Sequence, residues 1–122
     1  MSMTTVLVVE DDKIIRRFVA LNLRMRQYEV WEAGTVQEGL SLLRQHNPDL
    51  LILDLMLPEE NGWTLLRAID SDPALPHLRT IIMSAATQED MYEYPYSDIV
   101  GILRKPFGLP DLMNMIRLSV TK

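Results

Sequence analysis

The sequence contains no cysteine. A disulfide framework, a thiolate metal site and a cysteine nucleophile are therefore excluded, and a reducing compartment fits. There is no surplus of cations: 12 Lys and Arg stand against 17 Asp and Glu, a formal net charge of −5. A domain without a basic excess cannot neutralise a run of phosphates, which argues against direct nucleic-acid binding. No apolar run approaches the ~18 residues of a membrane span. The start, MSMTTVLVVEDD, lacks the basic opening and long apolar core of a signal peptide. The expectation is a cytoplasmic protein without membrane contact. No internal repeat, linker or low-complexity stretch interrupts the 122 residues, which read as a single domain, 1–122, large enough to bury a core.

What is present alternates between two periods. Val6–Val9 is a β-branched-rich strand. Lys13–Met25 is a helix with Ile14, Phe18 and Leu21 at helical spacing. Tyr28–Glu32 alternates as a strand. Thr35–Gln45 is a helix with Val36, Leu40 and Leu43 on one face, and Thr35 and Glu38 have capping-box spacing. Asp49–Leu53 is a continuously apolar strand, suited to the middle of a sheet. Gly62–Ile69 makes a short helix, Arg79–Met83 and Asp98–Arg104 further strands, and Leu109–Val120 a closing helix. That alternation predicts an α/β fold of parallel βαβ units with helices on both faces. Between the last two strands, ATQEDMYEYPYS contains Pro95, which cannot sit inside a helix. A short or irregular fourth helix is expected there.

Ligands of a parallel α/β sheet sit at the carboxyl ends of its strands. Strand one ends in Glu10, Asp11 and Asp12, strand three in Asp54, strand four in Ser84, and strand five in Arg104 and Lys105. Strand two ends in Glu32, Ala33 and Gly34, with no obvious chemistry. If strands one and three are neighbours, Glu10, Asp11 and Asp54 converge. Two carboxylates about 5 Å apart repel by roughly 3 kcal/mol at an effective dielectric of about 20. A cation must hold them, or some must protonate. Hard oxygen donors without sulfur or imidazole suggest Mg2+, and Lys105 supplies a second positive charge. Metal, lysine, hydroxyl and carboxylate together form a phosphoryl-transfer setting in which a carboxylate can be the nucleophile. Asp54, alone at the sheet centre, is the better acceptor; Glu10 and Asp11 are the better metal cradle.

Each residue also has a plainer explanation. Acids at a helix start favour the helix dipole, Asp54 could form a turn, and a lone lysine or serine is usually solvated. The convergence of all of them on one side of the sheet outweighs those separate explanations. His46 and His77 lie in loop-like contexts, Trp31 and Trp63 read as packing or surface residues, and the eight methionines as core filler.

The strings VLVVEDD (6–12), LLILDLMLPEENG (50–62), IIMSA (81–85) and RKPF (104–107), in this order, resemble the response-regulator receiver domain. The resemblance covers nearly the whole chain. It implies a flavodoxin-like, doubly wound sheet of five parallel strands in the order 2-1-3-4-5. It implies phosphotransfer from a sensor histidine kinase or phosphotransfer protein to Asp54. Mg2+ would be held by Asp11 directly, by Glu10 through water, by Asp54 and by the backbone carbonyl of Met56. Ser84 and Lys105 would bond the phosphoryl group, and Pro106 would follow a peptide bond that is often cis. Two departures stand out. Ile102 occupies a switch position that is aromatic in many relatives, and YEYPYSDIVG, crowded with Tyr92, Tyr94 and Tyr96, replaces the usual helix and turn.

The sequence thus predicts a phosphoacceptor switch rather than a turnover enzyme. The switch would change affinity for a partner protein, an output domain or a second copy through residues 86–120. Two alternatives compete. One is a phosphorylation-independent interaction module on the same fold. The other is an Asp-nucleophile phosphohydrolase, disfavoured because Met56 stands where a second Asp would act as acid and base.

Overall fold

The structure, a computed structural model, describes residues 3–57, 61–75, 78–85, 96 and 98–120. Five strands, β1 (Thr5–Val9), β2 (Glu29–Ala33), β3 (Leu50–Asp54), β4 (Arg79–Ser84) and β5 (Ile99–Arg104), form one sheet. Its order is β2-β1-β3-β4-β5 and every pairing is parallel. Four helices are described: α1 (Lys13–Met25), α2 (Val36–His46), α3 (Trp63–Ser71) and α4 (Leu109–Val120). The doubly wound order is the expected one. Element ends differ from the sequence expectation by one or two residues, and β3 extends to include Asp54 itself. The expected irregular helix, with Ala86, Thr87, Asp90, Tyr92, Tyr94 and Pro95, lies outside the described residues, as do Pro58 and His77.

Alternate residues of the strands feed two cores. Leu7, Val9, Leu51, Leu53 and Ile82 pack with Trp63, Leu66 and Leu43 from α3 and α2. Val6, Val8, Leu50, Ile52, Ile81 and Met83 pack with Val19 and Leu23 of α1 and Leu112 and Ile116 of α4. β3, covered on both faces and flanked on both edges, is buried along its whole length. This is why its sequence is continuously apolar.

Helix α2 starts at a true cap: Thr35 Oγ1 accepts the Glu38 N–H at 3.1 Å. Glu38 reaches back one residue further than the standard box and accepts the Gly34 N–H at 2.7 Å. Helix α1 spans the expected residues. The face that packs inward carries Val19, Ala20 and Leu23, while Ile14, Phe18, Leu21 and Met25 are exposed. The methionines fill the core only in part, Met113 and Met115 packing against it from α4. Of those described, Met83 is fully buried, whereas Met3, Met25 and Met56 are exposed. Trp63 is buried, and Trp31 stacks on His46 with ring centroids 4.3 Å apart.

Candidate functional site

Three strand ends build the site. Continuing β1 beyond Val9 buries Glu10 completely, and its N–H donates to the Ala33 carbonyl at 2.9 Å. Asp11 follows, exposed. Asp12 turns the chain into α1, its Oδ1 capping the Ile14 and Ile15 N–H groups at 2.9 and 3.3 Å. From β3 comes Asp54, almost wholly buried. From the end of β5 comes Lys105, whose N–H donates to the Ser84 carbonyl at 3.1 Å and so ties it to β4.

Carboxylate oxygens of Glu10, Asp11 and Asp54 lie within 4.8 Å of one another. The Lys105 ammonium donates to Glu10 Oε1 at 2.7 Å and to Asp54 Oδ2 at 2.9 Å. The remaining Asp54 oxygen, Oδ1, accepts the Met56 N–H at 2.9 Å, and Glu10 Oε2 accepts the Asp12 N–H at 3.1 Å. One ammonium therefore serves two buried carboxylates, with a third beside them. Burial pushes the Glu10 carboxyl up to about 7; bonds from Lys105 and Asp12 oppose the rise, and the Asp54 charge adds to it. Burial pulls the Lys105 ammonium down, but its bonds to Glu10 and Asp54 outweigh this and raise it above the ordinary lysine value. A small cation fits this donor set. All donors are hard oxygens, they converge, and their negative charge exceeds what Lys105 supplies.

The other predicted residues fall around this centre. Ser84 is buried at the end of β4, in register with Arg104. Met56 sits two residues past Asp54 with its side chain 60% exposed, while Leu55 and Leu57 on either side are buried. The Lys105–Pro106 peptide bond is cis. Ile102 is exposed on β5, beside a groove of about 720 Å3 that Val100, Arg104, Met115 and Leu118 also line. Next to Lys105, an apolar groove of about 510 Å3 is lined by Ile14, Ile15, Phe18, Ala85, Pro106 and Phe107.

Two supports escaped the sequence reading. A Cβ on Gly62 would stand 2.6 Å from the Asp54 carbonyl oxygen and 2.9 Å from Leu55 Cα, so only glycine allows the start of α3 to lie this close to the end of β3. Its N–H donates to the Leu55 carbonyl at 2.7 Å. Glu32, assigned no chemistry from sequence, gathers three arginines: Arg24 at 2.9 Å, Arg16 at 3.2 Å and Arg17 at 3.5 Å. Neither feature has a local pattern; both arise only when distant segments meet.

A parallel α/β sheet with an acid cluster and a lysine at its carboxyl edge defines a class of site before any relative is considered. Residues 6–117 match the family described as response regulator receiver domain, and the chain belongs to it. It is 36% identical over 121 residues to the KDP operon transcriptional regulatory protein KdpE of Escherichia coli, covering 98% of this chain and 52% of that one. It is 35% identical over 119 residues to the transcriptional regulatory protein PdtaR of Mycobacterium tuberculosis, covering 96% of this chain and 57% of that one. The chain thus spans about half the length of the curated relatives it matches. Among solved structures it resembles a CheY-like receiver domain protein from Methanospirillum hungatei (TM-score 0.85, 27% identity, covering 97% of this chain and 94% of that one). It also resembles the chemotaxis response regulator CheY4 of Vibrio cholerae (TM-score 0.87, 25% identity, 98% and 100% covered).

Proposed function

We propose that residues 1–122 form one receiver domain that accepts a phosphoryl group on Asp54, from a sensor histidine kinase or a phosphotransfer protein. The observation that carries this reading is the shared ammonium. Lys105 Nζ bridges Glu10 and Asp54 at 2.7 and 2.9 Å, in a cluster whose acids still outnumber its cations. Glu10, Asp11, Asp54 and the Met56 carbonyl are the residues that would hold Mg2+. When bound, the ion neutralises the oxygens of the group in transfer.

The chain's own residues do the rest. An Asp54 carboxylate oxygen attacks phosphorus; a P–O bond to Asp54 forms as the donor's P–N bond breaks, and the bonding electron pair leaves with the donor nitrogen. The Met56 N–H and the Lys105 ammonium hold the carboxylate oriented for attack. Lys105 then bonds the phosphoryl oxygens, together with the Ser84 hydroxyl drawn in from β4. The new group adds about −1.5 to −2 of charge at this edge. The shift of the chain after Ser84 changes affinity for a partner, an output domain or a second copy through residues 86–120. Ile102, an aliphatic, serves that readout by packing rather than by a phenol. The apolar groove beside Lys105 suits an approaching donor helix. The domain itself turns over no substrate, contacts no nucleic acid and acts in the cytoplasm. Among the described residues, no helix is long and apolar enough to cross a membrane.

Incubation with acetyl phosphate and Mg2+, followed by intact mass measurement, tests this directly. One phosphoryl adduct is expected on the wild type and none on Asp54→Ala. No adduct on the wild type, or an equal adduct on the variant, would sink the reading.

A further inference from the structure

The Glu10 residue is gripped on every side. Its N–H donates to Ala33, and its carboxylate takes the Lys105 ammonium and the Asp12 N–H. Its carbonyl oxygen, rather than its carboxylate, accepts Arg16 Nη1 at 3.0 Å. Arg16 is itself fixed by Glu32, with Nε 3.2 Å from Oε1. Its side chain is 18% exposed, against 54% for Arg17, which touches the same Glu32 but not Glu10. Gly34 leaves the guanidinium its space: a Cβ there would stand 3.0 Å from Arg16 Nη1 and 4.0 Å from the Glu10 carbonyl oxygen. A bond from a charged donor is about twice as strong as a neutral one. Groups behind a set of metal-binding ligands set the ligands' orientation.

We propose that Arg16 is a positioning residue for the acidic site. By holding the Glu10 carbonyl it fixes the 10–12 turn, so that Glu10 and Asp11 present their carboxylates to the cation they share with Asp54. The inference rests on the Mg2+-assisted phosphoacceptor reading and assigns that site a supporting residue. Arg24 supplies the internal contrast. It bonds Glu32 at 2.9 Å and the Val30 carbonyl at 2.9 Å, yet makes no hydrogen bond or ion pair with Glu10.

Calorimetric titration with Mg2+, paired with urea unfolding, tests the inference. Arg16→Met should weaken Mg2+ binding about tenfold. Arg17→Met and Arg24→Met should leave it within about twofold, even though Arg24→Met loses stability. Arg16→Lys keeps the charge but not the planar fork and should fall between. Gly34→Ala, which crowds the guanidinium, should weaken binding a few-fold alone and add nothing in the Arg16→Met background. Unchanged affinity in Arg16→Met, or an equal loss in Arg24→Met, would overturn the inference while leaving the phosphoacceptor reading intact. If Arg16→Met does not fold, unchanged affinity in both Arg16→Lys and Gly34→Ala overturns it. A wild type that takes up no Mg2+ would instead overturn the underlying reading, and this inference with it.

Discussion

Two acidic regions flank the β1–α1 turn, and they are built with opposite charge balance. On one side Glu32 has three arginines, and it needs nothing more. On the other, Glu10 and Asp54 share a single lysine, with Asp11 beside them. Burial acts to raise both glutamates, but the outcomes diverge. At Glu32 the bonds from Arg24 and Arg16 overcome burial and hold the carboxyl below its usual value. At Glu10 burial wins, and the carboxyl stands at about 7. A saturated cluster is a structural tie. A buried cluster left short of positive charge is costly unless a further cation joins it, and that shortfall is what makes it a candidate site.

The largest effect should come from deepening the shortfall. Lys105→Met strands two buried carboxylates, and urea unfolding in Mg2+-free buffer should show a loss of about 3 kcal/mol. Mg2+ should recover part of it.

The next effect is the pH response of the two clusters. Glu10 has a folded value above its unfolded value of 4.5. Its contribution to stability is therefore fully present below 4.5 and is lost as pH rises through about 7. Without Mg2+, the wild type should lose stability across that window relative to Glu10→Gln. Glu32 has the opposite sign. Its folded value is depressed, so its contribution is present above 4.5 and lost as pH falls through the folded value. Glu32→Gln should cost about 1 kcal/mol at pH 7, and the difference should close as pH falls through the depressed folded value. If both variants shift the pH profile in the same direction, the contrast between the clusters fails.

The smallest effect should be at Arg17. This arginine is half-exposed and is the most distant of the three from Glu32. Arg17→Ala should change stability by less than about 0.5 kcal/mol. A larger loss would mean that Glu32 is less well saturated than its contacts imply.

The acid-short cluster was legible in the sequence, while its saturated neighbour was not, for a physical reason. Asp54 ends an unbroken apolar strand, and Glu10 and Asp11 end another, so a parallel sheet brings them to one edge by topology alone. The Arg16–Glu32 tie joins residues 16 apart on different elements, and no periodicity marks it. Helix α1 shows the same limit. Both its faces carry large apolar residues, so spacing finds a stripe at Ile14, Phe18 and Leu21 without showing that Val19 and Leu23 are the ones buried. Gly62 is dictated by a 2.6 Å approach that exists only in the folded chain.

The most direct measurement is the thermal unfolding midpoint as a function of Mg2+ concentration, for the wild type and Asp54→Asn. An ion that binds only the folded chain stabilises it by mass action. In Mg2+-free buffer, Asp54→Asn should start higher, because one of the converging charges is gone. The wild-type midpoint should then climb with Mg2+ while the variant's stays nearly level. A wild type that ignores Mg2+, or a variant that climbs as steeply, would contradict the claim that this cluster is built short of a cation.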